Sequence, residues 1–241
     1  MSRYFLRISY DGTNYHGWQV QPGSITVQEV VTERIAVLVG DPDLQVVGCG
    51  RTDTGVHASS FFLHFDSKEP LNDEIAFRLN AFVPEDIGIH QLYQVDPEAH
   101  ARFDATRRTY RYYLHQKKDP FLRHYSWLLK QDLDLTRMNE CCEMIVKHND
   151  FACFARSGGT NKTTLCNVVE CRIEQEGDRL VLTISADRFL RNMVRAVMGT
   201  LVEVGRGKLS MQEFGSILEN GERSDAGPSA PAHGLFLEKI E

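Results

Sequence analysis

TVQEVVTERIAVLVG, residues 26–40, contains the start, the apolar repeat and the end of one helix. Thr26 and Glu29 have the spacing of a capping box, and Gly40 stands where a helix end favours a left-handed residue. Apolar residues recur at helical spacing between these ends: Val27, Val31, Ile35 and Leu38. The stretch therefore predicts an amphipathic helix with one buried face.

Strands are predicted on both sides of this helix. Residues Tyr4–Tyr10 alternate between two kinds of side chain, which is the pattern of a strand with two distinct faces. The segments that follow the helix are predicted as strand, strand, helix and strand: residues 44–49, 56–65, 72–82 and 88–95. The order β-α-β-β-α-β is that of a ferredoxin-like domain, in which helices cover one face of an antiparallel sheet.

The pattern begins again in the second half of the chain. The predicted strands there are residues 102–116, 168–176, 179–187 and 235–240, and the predicted helices are 136–148, 189–204 and 210–218. We therefore predict an α+β protein of two ferredoxin/RRM-like halves, whose antiparallel sheets join into one wide platform with a central active-site cleft. The predicted domains are residues 1–100 and 101–241, two α/β sandwiches with a boundary near Pro97–Arg102.

Composition narrows the class of protein. The 241 residues are 42% hydrophobic, which is enough for a sizeable core. No apolar run approaches the roughly 20 residues of a membrane span, and the early charges of Arg3 and Arg7 argue against a signal peptide, so we expect a cytoplasmic protein without a membrane partner. The six cysteines form no C-x-x-C pair and are predicted to be buried reduced thiols, with no zinc or other metal site.

Charge is unevenly distributed although the net charge is −6. Residues 101–125 carry seven basic and two acidic side chains, and residues 186–208 carry five basic and two acidic ones. This segregation predicts a positive groove for nucleic acid, with a solvated charged face as the alternative. On the predicted helix 189–204, the side chains of Arg188, Arg191 and Arg195 would share one face.

Arginines and tyrosines alternate along the predicted strand 102–116, in the sequence RRTYRYY of residues 107–113. Arg108, Tyr110 and Tyr112 would share one face, and Arg111 would lie on the other. Aromatic and cationic side chains in this arrangement suit stacking on unpaired bases and contact with phosphates. Core tyrosines are the alternative.

The candidate catalytic group is a carboxylate in a glycine-rich loop. Residues 48–58 read GCGRTDTGVHA, so that Asp53 stands between Arg51 and His57. A simple turn is the alternative, because Asp and Gly both favour turns. The chain has no phosphate-binding glycine loop, no G-x-S-x-G nucleophile elbow and no H-E-x-x-H pair. A nearby arginine would keep Asp53 ionised, which suits a nucleophile or a base.

Six segments, in order along the chain, resemble the tRNA pseudouridine synthase A family. They are Tyr10–Gln19, Gly50–Asp53 with Gly55–Ala58, Phe103–Ala105 leading into Tyr110–Tyr112, Asp150–Phe151 with Phe154, Met193–Arg195 closed by Gly199, and Ala230–Ala232 before Gly234–Leu235. This chain departs from the family at Thr54, where Ala is more frequent, and at Ser60-Phe61, where Gly-Gln is more frequent. The second departure predicts a repacked strand after the loop.

The resemblance implies a reaction and a set of roles. The family isomerises uridine to pseudouridine in the anticodon stem-loop of tRNA, just 3′ of the anticodon, as a homodimer without cofactor or metal. It implies that Asp53 is catalytic, that Tyr110 stacks on the target uracil and is a candidate for proton transfer, that Arg195 pairs with Asp53, and that Arg51 holds the target nucleotide out of the RNA stack. Further RNA-binding candidates are Arg108, Arg111, Arg188 and Arg191.

Two other functions stay open at this point. A non-catalytic RNA-binding protein would use Asp53 only to cap a turn. A nucleoside or glycosidic hydrolase would share the carboxylate but normally needs a second one placed for water or for the leaving group.

Overall fold

The computed structural model describes residues 1–72, 74–156 and 162–241. These residues form an α+β fold with nine strands, which confirms the predicted fold class. The strands are β1 Ser2–Tyr10, β2 Val47–Gly48, β3 His57–Ser67, β4 Ile87–Val95, β5 Arg108–His115, β6 Trp127–Leu128, β7 Val168–Glu176, β8 Arg179–Ala186 and β9 Leu235–Ile240. The α-helices are α1 Val27–Val39, α2 Glu74–Asn80, α3 Leu135–Lys147, α4 Met193–Gly205 and α5 Met211–Asn220. Two short 3₁₀ helices cover Ala152–Phe154 and Ala232–Gly234.

The chain divides into two compact units. Unit 1 contains residues 1–106 together with 237–241, and unit 2 contains residues 107–236. In unit 1 the strand order is β4-β1-β3-β9, and β2 pairs with β3. The β1 register places Leu6 opposite both Leu63 of β3 and Leu92 of β4, and all three side chains are buried. The even-numbered residues of β1 from Tyr4 onward therefore belong to the core, as the alternation predicts.

Helix α1 has the predicted ends. The hydroxyl of Thr26 accepts a hydrogen bond from the Glu29 N–H at 3.3 Å, and Gly40 adopts the left-handed conformation with φ 68°. Val27, Val31 and Ile35 are buried. The helix is thus stabilised by its N-terminal cap and by burial of one apolar face.

In unit 2 the strand order is β5-β8-β7, with antiparallel pairs, and β6 adds a short parallel pair to β5. Helix α3 packs against β7. The side-chain amide of Asn139 accepts from the Ile173 N–H and donates to the Ile173 carbonyl, both at 2.9 Å. Asn139 therefore satisfies backbone groups of β7 on the side where the described residues provide no neighbouring strand.

Two predicted elements begin later than expected. The strand predicted from residue 102 begins at Arg108, because residues 100–104 form a turn closed on His100. The helix predicted from Phe189 begins at Met193, because Asn192 adopts a left-handed φ of 66° and interrupts helical geometry. The prediction that Arg188, Arg191 and Arg195 share a helical face is therefore wrong, since Arg188 and Arg191 precede the helix.

The remaining differences are small. The strand predicted over residues 44–49 is paired only over Val47–Gly48, and β6 and both 3₁₀ helices had no clear signal in the sequence. All six cysteines lie in the described part of the chain and are buried thiols outside any disulfide, as predicted. No helix in the described part of the chain is long and apolar enough to cross a membrane.

Candidate active site

Asp53 lies in the loop between β2 and β3, at the first position of a tight turn. The Val56 N–H donates to the Asp53 carbonyl at 3.1 Å, and Gly55 has φ 76° at the third position. A positive φ at that position is the requirement of a type II turn, which explains the glycine. The side chain of Asp53 is half-buried, and Arg51 is exposed. The loop is thus a turn, and the turn presents a carboxylate.

The segment Tyr10–Gln19, which begins at the last residue of β1, supports this loop, and we call it the support segment. The hydroxyl oxygens of Tyr10 and Thr52 lie 2.9 Å apart. The Trp18 N–H donates to the Thr52 carbonyl at 3.3 Å, and the Gly55 N–H donates to the Tyr15 carbonyl at 3.3 Å. Three hydrogen bonds, two of them between backbone groups, therefore hold the loop on both sides of Asp53.

Two glycines allow the support segment to approach the loop so closely. A Cβ on Gly17 would lie 2.3 Å from the Thr52 carbonyl oxygen, and a Cβ on Gly12 would lie 2.1 Å from the Val56 carbonyl oxygen. Both distances are far inside van der Waals contact, and both neighbours are backbone atoms that cannot rotate away. Gly17 also has φ 84°, which other residues rarely adopt. These two positions require glycine for steric reasons.

A buried aromatic cluster lies beneath the loop. The rings of Trp18 and Phe61 have their centroids 4.1 Å apart, and Tyr10 packs against both at 6.4 and 5.7 Å. Gly48 gives the indole room, because a Cβ there would lie 2.5 Å from the indole nitrogen. Phe61, one of the three residues at which this chain departs from the family, is completely buried in this cluster.

His57 joins the loop to the support segment from the other side. Its Nδ1 lies 3.1 Å from the Gly12 nitrogen and 3.0 Å from an oxygen of Asp11. One ring nitrogen cannot accept from the first and donate to the second. The same Asp11 oxygen already accepts from the N–H and the hydroxyl of Thr13, at 2.9 and 2.6 Å. We therefore assign Nδ1 as the acceptor of the Gly12 N–H, with the ring proton on Nε2.

In unit 2, Tyr110 lies on β5 opposite Ile184 of β8 and is half-buried. The ring of Phe189 contacts it edge-on, with centroids 5.2 Å apart at 88°. Tyr112, two residues along the same face, is a core residue whose hydroxyl donates to the Pro231 carbonyl at 2.7 Å. Burial raises the pKa of Tyr112, so its hydroxyl stays a proton donor.

Arg195 lies in the first turn of α4, and both its side chain and its backbone carbonyl form a hydrogen bond with Ala230. Its Nε donates to the Ala230 carbonyl at 2.7 Å, and its own carbonyl accepts from the Ala230 N–H at 2.9 Å. The loop that carries Ala230 lies directly on α4, since a Cβ on Gly199 would be 1.7 Å from the Pro228 carbonyl oxygen. The guanidinium of Arg195 is therefore held at a fixed position relative to the helix.

A second arginine organises the same loop. The guanidinium of Arg223 donates to the Gly227 carbonyl at 3.0 Å and to the Ser229 hydroxyl at 2.8 Å. The Asn192 side chain donates to the same hydroxyl at 2.7 Å. The left-handed backbone of Asn192, which is strained for a residue other than glycine, is thus stabilised by a side-chain contact just before α4.

Relatives with an assigned enzyme name match this chain along its whole length. A protein named tRNA pseudouridine synthase A from Parabacteroides distasonis is 47% identical and matches the entire chain and 96% of its own length. A protein of the same name from Bacteroides fragilis is also 47% identical over the same shares. The chain belongs to the tRNA pseudouridine synthase A family. A protein named tRNA pseudouridine synthase A 2 from Clostridium perfringens is 37% identical over 98% of this chain. The family model described as tRNA pseudouridine synthase matches residues 144–241.

Membership in the tRNA pseudouridine synthase A family makes the chain an isomerase of the pseudouridine synthase class. Of the predicted site residues, Asp53 and Arg51 lie two positions apart on one loop of unit 1, where the Arg51 Nε donates to the Gln19 side chain at 3.2 Å. Tyr110 and Arg195 lie in unit 2. Among the described residues, no group of histidine, cysteine and carboxylate side chains could hold a metal ion.

The four further arginines have different surroundings. Arg108 donates to the Asp187 carbonyl at 2.7 Å. Arg111 is ion-paired with Glu176 and lies 5.3 Å from the ring centroid of Tyr113. Arg188 and Arg191 lie in the irregular segment before α4, where Arg188 is half-buried and Arg191 is exposed.

The supporting groups were not predicted from the sequence. Thr52 and Ala230 are held by hydrogen bonds to residues far along the chain, and Arg223 organises the loop that carries Ala230 through local hydrogen bonds. The detectable signal was Gly12 and Gly17 in the support segment, since glycines outside an obvious hairpin indicate a close backbone approach.

Proposed function

We propose that this chain converts uridine to pseudouridine in the anticodon stem-loop of tRNA, just 3′ of the anticodon, with Asp53 as the catalytic nucleophile or base. The observation that carries the proposal is the support of Asp53: a half-buried carboxylate on a turn that is fixed by three hydrogen bonds and two sterically required glycines. A solvated loop carboxylate needs no such support. A catalytic carboxylate does, because small displacements lower the rate strongly.

The chemistry requires one carboxylate and a pocket that retains the base. Asp53 either adds to C1′ or removes the C2′ proton, and the bond between N1 and C1′ breaks. The freed uracil turns so that C5 forms the new bond to C1′. This step either displaces the carboxylate oxygen of Asp53 from C1′ or is accompanied by return of the proton to C2′. C5 then loses its proton and N1 gains one. Atoms and electrons balance without an oxidant or co-reactant, so the proposal includes no cofactor and no metal. Exclusion of water keeps the detached base in place.

Residues of both units serve the same uridine in this proposal. Tyr110 stacks on the uracil and is the candidate for proton transfer, and its contact with Phe189 supports this role by fixing the ring plane. Arg195 supplies the counter-charge for Asp53, and its attachment to Ala230 supports a positioned guanidinium. Arg51 holds the nucleotide out of the RNA stack, an extrusion that costs a few kcal/mol and that phosphate contacts can offset.

RNA binding involves the two basic segments, residues 101–125 and 186–208. We propose contacts to phosphates from Arg108, Arg188 and Arg191, and from Arg111 if RNA displaces Glu176. The finer fold prediction, two ferredoxin/RRM-like halves with joined sheets and a central cleft, belongs to the same proposal. So do the domains 1–100 and 101–241, a homodimer and a cytoplasmic location.

Asp53→Ala and Asp53→Asn test the enzymatic assignment. The substrate is tRNA transcribed with uridine labelled by tritium at C5, and the readout is tritium release together with mapping of pseudouridine along the tRNA. We expect both variants to release no tritium above background, whereas Asp43→Ala, at an exposed aspartate of unit 1, retains the wild-type rate. Conversion of uridine by Asp53→Ala would refute the role of Asp53. Free uracil as the product would favour a hydrolase instead.

Salt dependence tests the basic segments. Each phosphate contact to single-stranded RNA contributes about 0.7 to the slope of log affinity against log salt. We expect a steep slope for the wild type and a lower slope for Arg108→Gln and Arg191→Gln. A flat response in the wild type would refute the proposed RNA surface.

A further inference from the structure

Phe103 is a large aromatic side chain held out into solvent. It is 74% exposed, and it lies in the turn between β4 and the end of unit 1. An isolated exposed phenylalanine is unremarkable when it is mobile. This one stands at the end of a ladder of rings that begins in the sheet: Phe5 stacks on His64 at 5.9 Å, His64 contacts His100 at 4.6 Å, and His100 stacks on Phe103 at 4.1 Å.

The backbone of the turn is fixed from the same sheet. The Ala101 N–H donates to Nδ1 of the buried His64 at 3.1 Å. Arg3 of β1 donates to the Ala99 carbonyl at 3.1 Å. The Asp104 carboxylate accepts from the His100 N–H at 2.7 Å. Phe103 is therefore presented on a preorganised turn, and little conformational entropy is lost when something stacks on its open face.

A cation accompanies the ring. The guanidinium carbon of Arg102 lies 5.8 Å from the centroid of Phe103 and its side chain is exposed. An aromatic face beside a guanidinium group has the chemistry that binds an unpaired nucleotide, because the base stacks on the ring and the phosphate meets the cation.

We propose that Phe103 and Arg102 form a nucleotide-stacking site for an unpaired base of the RNA substrate, separate from the residues assigned to the reaction. The proposal rests on the proposed function, since it takes tRNA as the ligand. A second copy of this chain fits the site less well. Phe103 is flanked by the exposed polar residues Arg102 and Asp104, whereas a stable protein interface buries about 1,200 Å² or more around an apolar centre.

Binding of an unmodified tRNA transcript to the full chain tests the site, measured by fluorescence anisotropy at constant salt. Loss of one stacked base by alanine substitution corresponds to a Kd weaker by roughly 5- to 150-fold. We expect this loss for Phe103→Ala and most of it for Phe103→Leu, which keeps apolar area but has no ring, and we expect Phe103→Trp to bind at least as well as the wild type. Phe77→Ala, at a 77% exposed phenylalanine on α2, is the matched control and should leave Kd unchanged.

A second measurement locates the base. 2-Aminopurine, placed in turn at single unpaired positions of the transcript, should be quenched by the wild type at one position and not by Phe103→Ala. Arg102→Gln should lower the salt slope by about one phosphate contact, whereas Arg102→Lys should keep it.

The outcomes separate this inference from the proposed function. Pseudouridine formation by the wild type with an unchanged Kd for Phe103→Ala would overturn the stacking site and leave the proposed function intact. Absence of tritium release by a wild type that still binds tRNA through Phe103 would do the reverse. A change in oligomeric state of Phe103→Ala, measured by light scattering, with unchanged RNA affinity per subunit would assign the surface to a second copy and overturn the proposal.

Discussion

Substitution of Gly17 tests whether the support segment determines the placement of Asp53. In Gly17→Ala the new Cβ would lie 2.3 Å from the Thr52 carbonyl oxygen, whereas ordinary contact begins at 3.4 Å. Thr52, which directly precedes Asp53, must therefore move by about 1 Å. The left-handed φ costs about 1–2 kcal/mol, and loss of the hydrogen bond from the Trp18 N–H adds about 1 kcal/mol.

Gly23→Ala is the matched control for the backbone strain. Gly23 has φ 72°, close to the 84° of Gly17, but a Cβ there meets no atom within 4 Å. Gly23→Ala should therefore lose only the 1–2 kcal/mol of stability that a left-handed backbone costs a residue with a side chain, on the order of the strain expected for Gly17→Ala. The difference between the two variants isolates the steric displacement of the loop.

Two assays separate stability from catalysis. Urea unfolding should show Gly17→Ala about 1 kcal/mol less stable than Gly23→Ala. Single-turnover pseudouridine formation at saturating tRNA should fall by up to about a hundredfold in Gly17→Ala, because a 1 Å misplacement of a catalytic group can have that effect, and should stay near wild type in Gly23→Ala. Equal rates for the two variants would refute the idea that the support segment positions Asp53.

Three further predictions concern other parts of the molecule. Burial, together with the charges of His100 and Arg3, lowers the pKa of His64 to about 4. Because only the unfolded chain binds the proton near pH 6.5, the free energy of unfolding should be highest above that pH and should fall by about 2–3 kcal/mol as the pH drops towards 4. His64→Asn should flatten this pH dependence, measured by urea unfolding. Gly199→Ala should lower the free energy of unfolding by roughly 2–3 kcal/mol, because the new Cβ overpacks against Pro228. Gly215→Ala on α5 meets only the flexible end of Met144 at 3.2 Å, so it should leave the free energy of unfolding unchanged or raise it by up to about 1 kcal/mol. Arg195→Lys should lose far more activity than stability, since an ammonium cannot replace the planar guanidinium; unchanged turnover would remove Arg195 from the site.

The sequence allowed prediction of most elements whose signals are local. Helix α1 was predicted with both ends because a cap, a repeat and a terminal glycine all lie within fifteen residues of each other, from Thr26 to Gly40. The alternation of β1 was equally clear, because one face of it packs in the core and the other does not.

Elements whose limits depend on distant partners were predicted less well. Nothing near Phe189 indicates that α4 starts only at Met193; the cause is Asn192, whose left-handed backbone is stabilised through Ser229 of a loop more than thirty residues later. The turn at residues 100–104 also depends on a distant partner, the ring of His64. Such contacts cannot be derived from spacing along the chain.

The candidate site shows the same division. Asp53 and Arg51 could be selected from one loop because unusual residue types lie together there. Thr52 and Ala230 act through hydroxyl and backbone groups that every sequence contains, so only the structure identifies them.

The strand β9 has a consequence for synthesis on the ribosome. Residues 237–241 complete unit 1, although the other residues of that unit end at Thr106, and all of unit 2 is translated in between. Translation proceeds at roughly 5–20 residues per second, so the edge of β3 lacks its neighbour β9 for on the order of ten seconds. During this time the Ser59 hydroxyl also lacks its hydrogen-bond partner, the carboxylate of Glu238. An open strand edge can pair with other chains. The nascent protein therefore exposes an unpaired strand edge throughout the translation of unit 2, and we expect a chaperone that shields this edge to raise the yield of folded protein.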